Sequence, residues 1–120
     1  MKKIYIAGPM RGMPDFNYPT FDYWAKLHRN VGWDVMNPTE IGAAFGTPDE
    51  INADPALLER VMKAERRALT QCDAIFLLKG WEKSRGARKE LALAIDFDCE
   101  IHLAPEIAIP LICKSPEALS

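Results

Sequence analysis

The chain has 120 residues, enough for one hydrophobic core but not for two. Its composition, 48% hydrophobic and 27% charged, is that of an ordinary globular domain, and a net charge of −2 leaves no basic footprint for a nucleic-acid polymer. No run approaches the roughly 20 apolar residues of a membrane span, and Met1-Lys2-Lys3 leads into too short an apolar stretch for a secretory signal.

Lys3-Ile4-Tyr5-Ile6-Ala7 reads as a first buried strand, ended at once by Gly8-Pro9. A loop from Met10 to Tyr18 follows, holding Arg11, Gly12, Pro14, Asp15 and Asn17. Asn17 predicts a helix cap, with Pro19 in the first turn. That helix carries Phe21, Trp24, Ala25, His28 and Val31 on one side and stops at Gly32. Trp33-Asp34-Val35-Met36 is a short second strand, closed by Asn37-Pro38. Residues 37–53 show no clear period and read as a long loop, with at most a helical turn at Ile41 to Phe45. Such a loop is a functional lid, a subunit contact or a merely irregular connection.

Asp54-Pro55 marks a helix start, and the helix runs to about Gln71. Its apolar stripe is Leu58, Val61, Met62, Ala68, Leu69 and Cys72. Glu65 falls inside that stripe, because its neighbours three and four residues away are Val61, Met62, Ala68 and Leu69. Burying a carboxylate costs several kcal/mol unless it is neutralised or paired. Glu65 therefore either reaches solvent at the stripe's edge or lines a polar cleft.

Ala74 to Leu78 is a third strand, apolar enough to be buried on both faces. A loop from Lys79 to Ser84 leads into a helix that ends near Phe97. Glu90 repeats the oddity of Glu65: Gly86, Ala87, Leu93 and Ala94 surround it on the helix, and none is charged. It is either a solvated helix glutamate or a second cleft carboxylate. Trp81 either packs in the core or faces a ligand. Glu100 to Leu103 is a fourth strand, and Ala108 to Ile112 is a fifth only at an edge because of Pro110. One domain is expected over residues 1–113, with 114–120 a frayed tail.

The alternation of strands and helices predicts a parallel sheet with right-handed crossovers. The expected fold class is α/β: a single-domain, three-layer, Rossmann- or flavodoxin-like parallel sheet of four to five strands flanked by helices. Cys72, Cys99 and Cys113 fit neither a disulfide framework nor a zinc pattern, and His28 and His102 are not spaced to share a metal with them. A reduced, cytoplasmic protein without metal is expected. In such a sheet the ligand crevice lies outside the carboxyl ends of the strands. Tyr5, Glu65, Glu90 and the Ser84-Arg85-Gly86 turn converge there. Paired carboxylates in different environments are equipped to cleave a glycosidic bond. A helix N-terminus with Ser, Gly and Arg suits a phosphate.

Three segments carry a family resemblance: Tyr5-Ile6-Ala7-Gly8-Pro9-Met10, Cys72-Asp73-Ala74-Ile75, and Ser84-Arg85-Gly86-Ala87-Arg88-Lys89-Glu90. In this order and spacing they make the chain resemble the nucleoside 2-deoxyribosyltransferase superfamily, in its small phage and bacterial branch, over roughly Lys3 to Leu103. The resemblance implies that Glu90 is a nucleophile forming a deoxyribosyl-enzyme intermediate and that Tyr5 orients it. It implies a base-side acid at Glu65, where the family has aspartate, so the carboxyl sits about 1 Å deeper. Arg88 stands where the family turn often has a second glycine.

Arg11-Gly12 and Ser84 match positions of the 2′-deoxynucleoside 5′-phosphate N-hydrolases that hold a 5′-phosphate. The implied substrate-binding set is Gly8, Pro9, Met10, Arg11, Gly12, Ser84 and Gly86, with Trp81 beside it. The implied activity is N-glycosidic cleavage of a deoxynucleoside 5′-monophosphate, with no cofactor. Base exchange between nucleosides and non-catalytic nucleotide binding are the alternatives. A flavin-binding domain is disfavoured, because the first loop lacks a Ser/Thr-rich phosphate cradle. Family members assemble as homodimers or larger oligomers, and Ile107 to Ile112 is the expected contact here.

Overall fold

The computed structural model describes residues 2–105. Its elements, in chain order, are β1 (Lys3–Ala7), a 3-10 turn (Pro14–Asn17), α1 (Tyr18–Asn30), β2 (Asp34–Met36), α2 (Pro38–Ala43) and α3 (Pro48–Ala53). Then come α4 (Pro55–Leu69), β3 (Ala74–Leu77), a second 3-10 turn (Trp81–Lys83), α5 (Arg85–Asp96) and β4 (Glu100–Leu103). The sheet is parallel throughout, in the order β2-β1-β3-β4. Tyr5 lies opposite Ile75 and Ala7 opposite Leu77, and the same two β3 residues lie opposite Ile101 and Leu103. The four-stranded sheet covered on both faces is the three-layer α/β fold expected from the alternating pattern.

Strand side chains alternate between the two faces, and two cores result. On one face Tyr5, Ala7, Ile75 and Leu77 pack with Leu69 of α4 and with Ala87 and Ala94 of α5. On the other face Ile4, Ile6, Val35 and Phe76 pack with Phe21 and Ala25 of α1. Ile4, Ile6, Leu69 and Ile75 are fully buried, and each such side chain stabilises the fold by roughly 1.5–3 kcal/mol. Asp73 closes the start of the sheet, its carboxylate accepting from the Lys3 amide at 2.8 Å.

Residues 37–53 differ from the expected loop: they form two short helices. Pro38 and Pro48 each open one. The Asn37 side chain accepts from the Thr39 amide at 3.1 Å. Thr47 and Glu50 make a reciprocal capping box, at 2.9 and 3.1 Å. The Asp22 carboxylate of α1 accepts from Asn37 Nδ2 at 2.9 Å and from Thr39 Oγ1 at 2.7 Å, fastening α2 to α1.

Asp54 caps α4 as its sequence position indicates, accepting from the Ala56 and Leu57 amides. Asn17 precedes α1 but does not cap it with its side chain. It is left-handed, with φ 61°, and its Nδ2 donates to the Pro9 carbonyl at 2.9 Å. Asp15 and Phe16 are left-handed as well, at φ 51° and 54°. Asp and Asn enter this region readily, so the cost, roughly 1–2 kcal/mol, falls mainly on Phe16. Val31, expected on the buried side of α1, sits past its end and is 76% exposed.

Cys72 and Cys99 are buried free thiols. Among the described residues no cluster of His, Cys, Asp or Glu is arranged to hold a metal ion, and no helix is long and apolar enough to cross a membrane. The expected fifth strand, the Ile107 to Ile112 contact, Cys113 and the 114–120 tail lie outside the described residues.

Candidate active site

β1 has β2 on one side and β3 on the other, so the direction of winding reverses between β1 and β3. Helices then leave the two strand ends toward opposite faces, and a crevice opens at their carboxyl ends. A cavity of about 410 Å³ lies there. The loop after β1 supplies Gly8, Pro9, Met10 and Arg11, and the segment after β3 supplies Ser84, Gly86 and Glu90. The helices α1 to α4 supply an apolar wall that includes Phe21, Ile51, Leu58, Val61 and Met62.

Both carboxylates singled out in the sequence, Glu65 on α4 and Glu90 on α5, line this one cavity. Tyr5 lies under it, fully buried, and its hydroxyl donates to Glu90 Oε2. Burial, followed by the charges of Glu90 and Glu65, raises the Tyr5 phenol well above its ordinary value, so it keeps its proton and remains a donor. Burial raises Glu65 to about 7, with Arg66 pulling the other way. Burial and then the Glu65 charge raise Glu90 to about 8, against the Tyr5 hydrogen bond and Arg66. Groups this closely coupled titrate as a pair. The pair therefore holds one proton and one charge just above neutral pH.

Ser84 is the N-cap of α5, and its Oγ accepts from the Ala87 amide at 3.2 Å. Its own hydroxyl hydrogen stays available to a ligand. A Cβ at Gly86 would meet no heavy atom within 4 Å, so nothing covers the first turn of α5 at that point. Gly8 has a packing reason: a Cβ there would lie 2.7 Å from Leu78 Cβ.

Two expected binding residues lie elsewhere. Gly12 is exposed, with φ 77°, and serves the turn of the first loop rather than the cavity. Trp81 packs against the core cluster around Tyr5 and Ile75 and does not line the cavity. Arg88 is exposed and also outside the lining, so it does not crowd the site.

Several lining residues were not singled out beforehand. Tyr18 is one; its phenol is raised by burial first and then by the charges of Glu65 and Asp22. Its hydroxyl is 3.7 Å from where a Gly42 Cβ would stand. Arg66, Lys83 and Lys89 are further cations of the lining, beside Arg85 of the Ser84-Arg85-Gly86 turn. Lys83 and Lys89 lie in the run Lys83-Ser84-Arg85-Gly86-Ala87-Arg88-Lys89, but a cationic run reads first as a solvated surface.

A family model described as Domain of unknown function (DUF4406) matches residues 2–103. The chain belongs to this family. Among curated proteins, none matches the sequence. Solved structures do match the DUF4406 fold. A 2-desoxiribosyltransferase from Leishmania mexicana superposes with a TM-score of 0.63 at 21% identity, covering 95% of this chain and 71% of that one. A 2-deoxyribosyltransferase from Bacillus psychrosaccharolyticus gives 0.66 at 19% identity, covering 94% and 81%. The DUF4406 chain therefore has the deoxyribosyltransferase fold, in keeping with the superfamily resemblance of its motifs.

Proposed function

We propose that the protein is an N-glycosidase that cleaves the bond between base and deoxyribose in a 2′-deoxynucleoside 5′-monophosphate. The observation that carries this reading is the joint arrangement of Tyr5, Glu90 and Glu65 at one cavity. One carboxyl is held by a fixed hydroxyl donor. The other stands among apolar residues. Hydrogen bonding to a carboxylate favours its charged form, but burial outweighs it here and Glu90 holds its proton more tightly than Glu65. The reactive form, with the charge on Glu90 and the proton on Glu65, is the minor one, reached by moving one proton within the pair.

Glu90 then attacks C1′ as the C1′–N bond breaks, and Glu65 gives its proton to the departing base, which leaves neutral while Glu65 becomes a carboxylate. Water opens the glutamyl ester, losing a proton to the Glu65 carboxylate and restoring Glu90. Arg11, the Ser84 hydroxyl and the Gly86 amide hold the 5′-phosphate.

The test is incubation with each deoxynucleoside monophosphate while free base is followed. Base release that disappears in Glu90→Ala supports the reading, and release unchanged in that variant removes the nucleophile. The names of the two fold neighbours favour a second reading, base exchange. A second free base added to the reaction distinguishes them: mixed nucleoside products mean transfer, and their absence means hydrolysis. Nucleotide binding without turnover would leave only a binding module.

A further inference from the structure

The cavity is charged unevenly. Two acids, Glu65 and Glu90, share its lining with Arg11, Arg66, Lys83, Arg85 and Lys89, in a chain whose net charge is −2. Arg66 is paired with Glu59 at 3.1 Å. Arg11, Lys83, Arg85 and Lys89 are exposed, and none forms an ion pair among the described residues.

Three of these cations fall between Lys83 and Lys89. Arg85 and Lys89 are one helical turn apart, a like-charge pair that weakens a helix. Arg85 also sits in the first turn of α5, where the helix dipole disfavours positive charge. No acidic residue stands in that first turn to offset it. The fold thus keeps a like-charge pair, Arg85 and Lys89, together with the exposed Lys83 at the rim of a cavity, an arrangement that an anionic ligand would relieve.

A 5′-monophosphate does not account for them. Arg11, Ser84 and the Gly86 amide already provide for one phosphate. Lys83, Arg85 and Lys89 are then left over, and their exposure puts them on the solvent side of the lining.

We propose that the site takes 2′-deoxynucleoside 5′-di- and triphosphates as well as the monophosphate, and more tightly, their outer phosphates held by Lys83, Arg85 and Lys89. This rests on the assignment of the cavity to a deoxynucleotide. A DNA strand end is also polyanionic, but it would need positive surface continuing past the rim, and the chain as a whole is acidic.

The test is calorimetric titration of the wild-type protein, repeated on Glu90→Gln so that turnover does not distort binding. The ligands are the mono-, di- and triphosphate of one deoxynucleoside at fixed ionic strength. Affinity rises with each phosphate, by about tenfold from mono- to triphosphate, the size expected for exposed charge pairs. Arg85→Ala and Lys89→Ala narrow that ratio.

Equal or falling affinity along the series overturns the proposal. So does a 5′-phosphorylated oligodeoxynucleotide that outbinds the triphosphate, or inorganic tripolyphosphate that binds as tightly as the nucleotide. Base release is scored separately. Ranked binding without base release keeps the phosphate-chain assignment and removes the glycosidase reading. Base release without ranking does the reverse, and no nucleotide binding at all removes both.

Discussion

The Tyr5 hydroxyl donates to the Glu90 carboxylate across 85 residues of chain, joining the centre of the sheet to the helix that follows β3. The phenol is fully buried and fixed by its strand. It therefore sets the direction of the Glu90 carboxyl without needing to touch a ligand. Tyr5→Phe keeps the ring and deletes the donor. A hydrogen bond to a charged group is worth about 1.5–3 kcal/mol, so kcat for base release is expected to fall roughly 10- to 100-fold. KM should change little. A fall in affinity with kcat unchanged would mean that the hydroxyl serves binding instead.

The carboxyl pair predicts a narrow pH optimum. Glu65 and Glu90 are raised to about 7 and about 8. In the proposed mechanism the first ionisation gives the pair the single charge it needs, so kcat/KM rises with pH through about 7. The second removes the proton needed by the leaving base, so kcat/KM falls through about 8. Glu65→Gln should abolish the alkaline limb as well as lower the rate. A flat profile between pH 6 and 9 would show that the two groups are not coupled in this way.

Stability should follow the same groups with a definite sign. The ordinary value of either carboxyl is 4.5, and the fold raises both. The folded protein thus keeps protons that the unfolded chain releases. The contribution is full below 4.5 and is lost as pH rises through about 7 and about 8. Glu90→Gln removes the burial of a charge while keeping an acceptor for Tyr5. Its Tm should exceed that of the wild type by a margin that grows from pH 5 to pH 9, reaching on the order of 1–3 kcal/mol in stability. Thermal melts at the two pH values check this, and a constant margin would mean that Glu90 is well solvated.

The glycines of the cavity differ in what they tolerate. At Gly8 a methyl group would meet Leu78 at 2.7 and 2.9 Å, between two paired strands. Overpacking of this kind costs about 1–3 kcal/mol, and Gly8→Ala should lower Tm by several degrees. At Gly86 the same methyl group meets nothing within 4 Å. Gly86→Ala should hold or raise Tm, since alanine is the better helix residue by roughly 0.5–1 kcal/mol. Parallel melts of the two variants separate packing from conformational cost.

The sheet and its long helices were legible because their signals are redundant. β3 is an unbroken apolar run, and α4 announces itself with Asp54-Pro55 and a sustained stripe. The oddity of Glu65 and Glu90 was also visible, since helical neighbours follow from spacing alone. Their sharing of one cavity was not, because that depends on how α4 and α5 cross the sheet. The helices α2 and α3 escaped detection because six residues are too few to display a period, although Thr47-Pro48-Asp49-Glu50 carries a complete capping signal. Asn17 was misassigned because cap preference says nothing about a left-handed backbone. Trp81 could not be placed because a loop aromatic has no periodicity to show which way it faces.

The Asn17 bond to the Pro9 carbonyl turns residues 9–17 into a closed ring, fastened to the sheet at one end and to α1 at the other. Length changes inside such a ring are absorbed within it. An insertion at exposed Gly12 should therefore leave α1 undisturbed, although it opens the Met10–Met13 turn beside Arg11, whereas the same insertion between Asn17 and Phe21 would turn the whole helix about its axis. For engineering, a graft at the Gly12 tip spares the helix and perturbs only the Arg11 side of the cavity, and one just after Asn17 spares neither.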